Sequence, residues 1–252
     1  MSILIYILLF TFLGSIASLV GGVILLYKEK YAIKIAHFLT SFAAGVLLGT
    51  AFFDLLPEAA QEAEKSGGDI FLWALVGFST LFLIERSIHW FHHHASDHIN
   101  PRQGKSVIPL LIIGDTAHNF IDGILIALTF MVSIPLGVIT SMAVVAHEIP
   151  QEIGDFAIML HRGLGKKKVI VINILSALVA MVGAIITFVV GENIGTFLPI
   201  FLALAAGFFI YIAASDLIPE IHHEDKKNVS IIQTILLFLG MFVIYLLVGA
   251  LE

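Results

Sequence analysis

The chain has 252 residues, 59% of them hydrophobic and only 13% charged, with no cysteine and a formal net charge of −6. Soluble chains carry ~25% charged residues, whereas the mean hydropathy here is +1.01. This composition excludes a cytosolic enzyme, a nucleic-acid binder and a disulfide-framed secreted module, and the missing thiols exclude thiolate metal sites and cysteine nucleophiles.

The charges are bunched, leaving long uncharged runs such as Ser2–Tyr27, Gly123–Ala146 and Val169–Gly191. A helix needs about 20 apolar residues to cross a bilayer core, so the chain reads as an all-α polytopic membrane protein. In chain order, hydropathy predicts eight spans, at about 3–26, 34–56, 69–91, 107–131, 134–160, 168–190, 197–218 and 230–251. The first is read as a retained span, because no basic segment precedes it and it is long for a signal-peptide core. The third, fourth and fifth are less apolar, interrupted by Glu85, Asp115, Asp122, Glu148, Glu152 and Asp155. Ser133-Ile134-Pro135 is too tight a joint for anything but antiparallel neighbours, while the longest connection, about 91–106, is polar and histidine-rich.

Lysine and arginine set the expected orientation. With the N-terminus outside, every basic residue except Lys65 falls on the inner side, a strong positive-inside pattern. Both termini then face outward. The whole chain, 1–252, reads as one multi-pass transmembrane domain in the cell (plasma or inner) membrane.

An internal repeat organises these spans. Residues 43–58 read AAGVLLGTAFFDLLPE and residues 205–220 read AAGFFIYIAASDLIPE, an offset of 162. The two copies sit in spans that cross in opposite directions, and Leu-x-Pro-Glu reads as a helix end in each. Ala117-His118-Asn119 is echoed by Ala146-His147-Glu148. Inverted repeats around a central helix pair are a signature of secondary transporters. Gly45 and Gly207, lacking side chains, are expected to let the second and seventh spans lie close to that central pair.

The chemistry is concentrated in the fourth and fifth spans. Asp115, His118, Asn119 and Asp122 follow i, i+3, i+4, i+7 and share one helix face. In the next span His147 and Gln151 stack, as do Glu148, Glu152 and Asp155. A mid-membrane carboxylate costs about 2.5–3.5 kcal/mol on insertion scales, so five cost roughly 15 kcal/mol, as much as a whole domain's stability. Protonation, water or cations must relieve that. Imidazoles beside carboxylates point to a divalent cation such as Zn²⁺; a purely structural hydrogen-bonded cluster is the competing reading. Pro150 removes the backbone bond to Ala146, which suits a kinked helix lining a cavity.

HNFIDG followed by HEIPQEIGDFAIML resembles the fourth and fifth helices of the ZIP (Zrt/Irt-like) divalent-metal transporters, most of all the branch whose fifth helix reads His-Glu-x-Pro-His-Glu-x-Gly-Asp. The likeness extends over the whole chain. It implies eight transmembrane helices in a 3+2+3 inverted-repeat arrangement, both termini outside, and a central two-metal site. By position, His118, His147, Glu148 and Gln151 would hold the transported metal, and Asn119, Asp122, Glu148 and Glu152 the adjacent one, with carboxylate bridging. This sequence departs from the branch at Gln151, where histidine is usual, which leaves the ligand count and metal preference open. Zinc is the expected cargo, with iron, manganese or cadmium as others, moved toward the cytoplasm. The metal is substrate and bound ion; no cofactor and no catalytic residues are implied. The partners are divalent metal ions and the lipid bilayer, with a homodimer left open and no nucleic acid.

Other polar groups fit a pathway. His89, His92, His93, His94 and His98, with His222 and His223, read either as a weak receiving site for metal or as solvated inner loops. Asp54 and Asp216 occupy matching repeat positions and read either as gate or relay carboxylates or as helix ends at the water interface; Asp115 and Asp155 are further candidate pathway residues. Asn173 in the sixth span either faces the second metal or joins helices. Two other functions compete. An intramembrane zinc hydrolase is suggested by the likeness of His147-Glu148-Ile149-Pro150-Gln151 to HExxH, but the second histidine is Gln151 and a proline sits inside the helix. A proton- or sodium-coupled carrier explains the acids but not the paired histidines.

Overall fold

The computed structural model describes residues 2–66, 68–94, 107–191, 197–222 and 226–251. It is all helical, with no strand among those residues. In order come α1 (Ile3–Tyr27), α2 (Glu29–Thr50), a π-helical turn (Ala51–Leu55), α3 (Leu56–Ser66), α4 (Ile70–His94), α5 (Val107–Val132), α6 (Ile134–His161), α7 (Lys166–Gly191), α8 (Leu198–Tyr211), a second π turn (Ile212–Leu217), α9 (Ile218–His222) and α10 (Lys227–Leu251). Counting each π turn with its flanking helices, seven helical segments among the described residues are long and apolar enough to cross a membrane. The 28-residue α6 is long enough too, but its acids lower its hydropathy. Large apolar side chains such as Leu75, Leu175, Val189 and Phe238 are exposed while Asp122, His147, Glu148 and Glu152 are buried. That inside-out distribution suits a hydrocarbon solvent, in which helices satisfy their own backbone groups. The chain is a multi-pass membrane protein.

The joints near the site are short. Ser133 alone links α5 to α6 and caps α6, its hydroxyl accepting from the Leu136 amide at 3.2 Å. Between α6 and α7, Gly163 takes φ +88°. The Leu164 amide then donates to Met159 O at 3.1 Å and the Gly163 amide to Leu160 O at 2.9 Å, a Schellman closure that requires left-handed backbone.

Leu-x-Pro-Glu, read from sequence as a helix end, ends neither helix. The chain stays helical to Ser66 after Pro57 and to His222 after Pro219. A proline ring clashes with the carbonyl four residues back, and a π turn just upstream widens the backbone ladder so that the helix can pass. The two turns match: the Leu56 amide donates to Ala51 O and the Ile218 amide to Ala213 O, 162 residues on. α6 likewise runs unbroken through Pro150.

The helices pack as two groups. α1, α5, α6 and α7 form one, through α5–α7 and α1–α6; α2–α3, α4, α8–α9 and α10 form the other, through α2–α10 and α4–α8. α2 against α6 leads the seam between them. Shifting by the repeat offset turns α1 into α7, α2 into α8 and α4 into α10; exchanging α5 with α6 as well maps each leading pair onto the other of its group. Gly45 and Gly207 correct the sequence expectation here. A Cβ on Gly45 would collide with the Leu237 carbonyl of α10, and one on Gly207 with the Ala74 carbonyl of α4. Both glycines serve the second group's own seams, not an approach to α5 and α6.

Candidate metal centre

The 3.6-residue repeat places His118 and Asp122 one turn apart on α5, and the single-residue joint at Ser133 returns α6 antiparallel, so that His147 and Glu148 meet them. Ligand atoms of His118, Asp122, His147 and Glu148 all lie within 4.8 Å of one another. His118 Nε2 is 3.0 Å from His147 Nε2. It is 3.7 Å from Asp122 Oδ2 and 3.6 Å from Glu148 Oε1, and His147 Nε2 is 3.3 Å from Asp122 Oδ2. With metal–ligand bonds of ~2.0 Å, the edges of a tetrahedral zinc site measure about 3.3 Å. These separations fall around that value.

Protonation suits ligation. His147 Nδ1 lies 3.0 Å from the Ala143 carbonyl, and a carbonyl only accepts, so Nδ1 carries the hydrogen. In the neutral ring Nε2 is then a bare lone pair aimed into the cluster, the second-sphere arrangement typical of metal-binding histidines. Asp122 and Glu148 are buried, and none of their four carboxylate oxygens has a hydrogen-bond partner. Their contacts with the imidazoles are ion-pair distances without hydrogen-bond geometry. Buried acceptors left in this way cost several kcal/mol unless a cation or proton answers them.

The centre stands at the head of a cavity of about 780 Å³ whose walls include His118, Gln151, Asp115 and Asp155. The cavity runs toward the end of the bundle where α1 joins α2 and α6 joins α7, past Glu85, Asp216, His37 and Glu220. Tyr211 on its wall donates a hydrogen bond from its hydroxyl to Glu85 Oε2, tying α8 to α4. His37 Nδ1 lies 3.8 Å from Glu220 Oε1, linking α2 to α9. Tyr211 and His37 do not stand out in the sequence, because their roles appear only once distant helices meet.

The remaining sequence candidates separate. Asn119 is buried and donates from Nδ2 to Asp115 Oδ1 at 3.0 Å and to the Asp115 carbonyl at 3.1 Å. Glu152 is fully buried with neither oxygen hydrogen-bonded. Asn173 donates to the Val169 carbonyl at 2.8 Å, and its buried Oδ1 has no hydrogen-bond partner. Asp54 is buried and absent from the cavity wall, whereas Asp216 is exposed within it. α4 continues through His92, His93 and His94, whose side chains, with the whole of His98 and His223, lie outside the described residues.

Comparison with known proteins identifies the family. The family model of the ZIP Zinc transporter matches residues 1–109 and 96–248. "Zinc transporter ZIP13" of Pongo abelii is 31% identical over 225 residues, covering 82% of this chain and 65% of that protein. "Zinc transporter ZIP10" is 42% identical over 123 residues in Danio rerio and 36% over 148 residues in Homo sapiens. These matches take in 49% and 55% of this chain but only 14% and 18% of those much longer proteins. From the matched spans and the motifs of α5 and α6, the chain belongs to the ZIP zinc transporter family.

Proposed function

We propose that the chain carries divalent metal ions, zinc foremost, across the membrane toward the cytoplasm. The observation that carries this reading is the four-atom cluster of His118, Asp122, His147 and Glu148: two imidazoles and two carboxylates, all within 4.8 Å of one another, at the head of a wide cavity. Gln151 supplies a neutral amide oxygen where the cavity meets that cluster. Asn119, Glu148 and Glu152 hold a second cation on the neighbouring face, with Glu148 and Asp122 bridging.

Two further features support transport. The exchange of leading helix pairs under the repeat offset fits a 3+2+3 inverted repeat, the architecture that gives a carrier its two access states. The cavity opens at the lysine-rich end, which the positive-inside rule assigns to the cytoplasm with both termini outside. On this reading the cavity is the inward-facing access path. All four clustered residues belong to the α1–α5–α6–α7 group, so movement of that group along the α2–α6 seam would carry the ion without dismantling its ligands. Asp155, Asp115 and Asp216 line its way out.

A hydrolase is disfavoured by the site. Catalytic zinc keeps an open position beside one general base, whereas a second buried carboxylate, Asp122, joins Glu148 in this cluster and Gln151 replaces the second histidine of the motif.

The test is zinc entry into vesicles containing the purified chain and a trapped zinc indicator, with iron, manganese, cadmium and magnesium as competitors. Zinc flux well above protein-free vesicles, suppressed by the first-row ions and not by magnesium, is expected. Absence of flux for every divalent ion would overturn the reading.

A further inference from the structure

α1 ends where α7 begins, and the two ends touch: Lys166 Nζ donates to the Leu26 carbonyl at 2.8 Å. Carbonyls at a helix C-terminus lack intrahelical donors, and an ammonium there satisfies one. Beside this bond lies a cavity of about 370 Å³ with Leu25, Leu26 and Leu160 on its apolar wall and Glu29, His161 and Lys166 at its polar rim. Leu25, Leu26, Phe156 and Val169 pack as a buried cluster beneath it, so the corner is built on a packed apolar base.

Its charge is one-sided. The neighbouring stretches 28–34 and 162–168 carry Lys28, Lys30, Lys34, Arg162, Lys166, Lys167 and Lys168, against Glu29 alone. All seven cations are exposed, and none forms an ion pair with a described residue. Three of them fill the first turn of α7, where free N–H groups and the helix dipole are already positive. Membrane topology asks for lysine at this end of the bundle. It does not ask for three in one helix's first turn, nor for a half-apolar cavity beside them.

We propose that this corner binds the phosphate headgroup of an anionic phospholipid. Lys166, Lys167 and Arg162 meet the phosphate, Tyr27 sits at headgroup depth, and the acyl chains continue over the exposed Val23 and Ile24 of α1. Basic pockets between helix ends on the cytoplasmic side are suited to such headgroups. The site lies outside the metal cluster and does not depend on transport.

The test is native mass spectrometry of the full chain released from nanodiscs of equal phosphatidylglycerol and phosphatidylcholine. Preferential retention of phosphatidylglycerol is expected. Lys166→Gln with Lys167→Gln should lower it roughly fivefold per cation removed. Lys227→Gln, a lysine in the same place at the start of α10, should leave it unchanged. Equal retention of the two lipids, an equal loss from Lys227→Gln, or displacement of the lipid by millimolar inorganic phosphate would each overturn the proposal. The last would reassign the corner to a free anion. Unchanged thermal unfolding of the variants shows that any loss is local.

Discussion

His118 and His147, 29 residues apart in sequence, set their Nε2 atoms 3.0 Å from each other, with Asp122 Oδ2 beside both. Without the Asp122 carboxylate, Glu148 alone would be left to offset a dication's charge beside the two imidazoles. Asp122→Asn keeps the shape and removes the charge, so zinc affinity should fall about tenfold or more, in line with losses seen even for outer-sphere partners. Equilibrium zinc binding to the purified variant checks this, and affinity equal to the parent chain's would remove Asp122 from the site.

Gln151→His replaces a neutral amide with imidazole on the cavity wall. Softer nitrogen ligands favour zinc over manganese and ferrous iron, so competition flux should shift toward zinc. An unchanged order of preference would show that residue 151 does not touch the cargo.

Accessibility offers a test of conformation. The chain has no native cysteine, so Cys at 216 or 54 can be labelled alone. In the inward-facing state, a membrane-impermeant thiol reagent should reach position 216 from the lysine-rich side and leave position 54 unlabelled from either side. Labelling of both from one side would contradict the inverted arrangement.

Gly45 and Gly207 are expected to behave as a pair. Gly45→Ala and Gly207→Ala each drive a Cβ into a neighbouring helix's carbonyl, and overpacking of this kind costs about 1–3 kcal/mol or more. Gly154→Ala meets nothing within 4 Å and should be neutral or stabilising. Thermal unfolding in detergent separates the three; equal midpoints would mean that the two helix seams have room for a methyl group.

Hydrophobic period and polarity make the spans and the residues of the central cluster legible in the sequence. Apart from the second, whose helix starts at Glu29 and runs on to Ser66, the expected spans lie within a few residues of the helices because long apolar runs leave few alternatives, and His118, Asp122, His147 and Glu148 stand out because such residues are costly in hydrocarbon. Pairings across the chain are not legible. The small residue at Gly45 announces a close approach without saying that α10 makes it. The proline after each π turn reads locally as a stop, since nothing in the sequence shows that the backbone upstream has widened. Tyr211 looks like an ordinary aromatic until α8 is set against α4 and its hydroxyl meets Glu85.

Zinc uptake by vesicles containing the His147→Ala variant is the most direct test of metal passage through the cluster. His147 contributes a lone pair fixed in direction by its bond to Ala143, and its removal leaves Asp122 and Glu148 facing a single imidazole. The variant should insert and fold at near-parent levels while zinc flux drops to that of protein-free vesicles. Zinc flux at the parent rate would show that the ion passes without the cluster between α5 and α6.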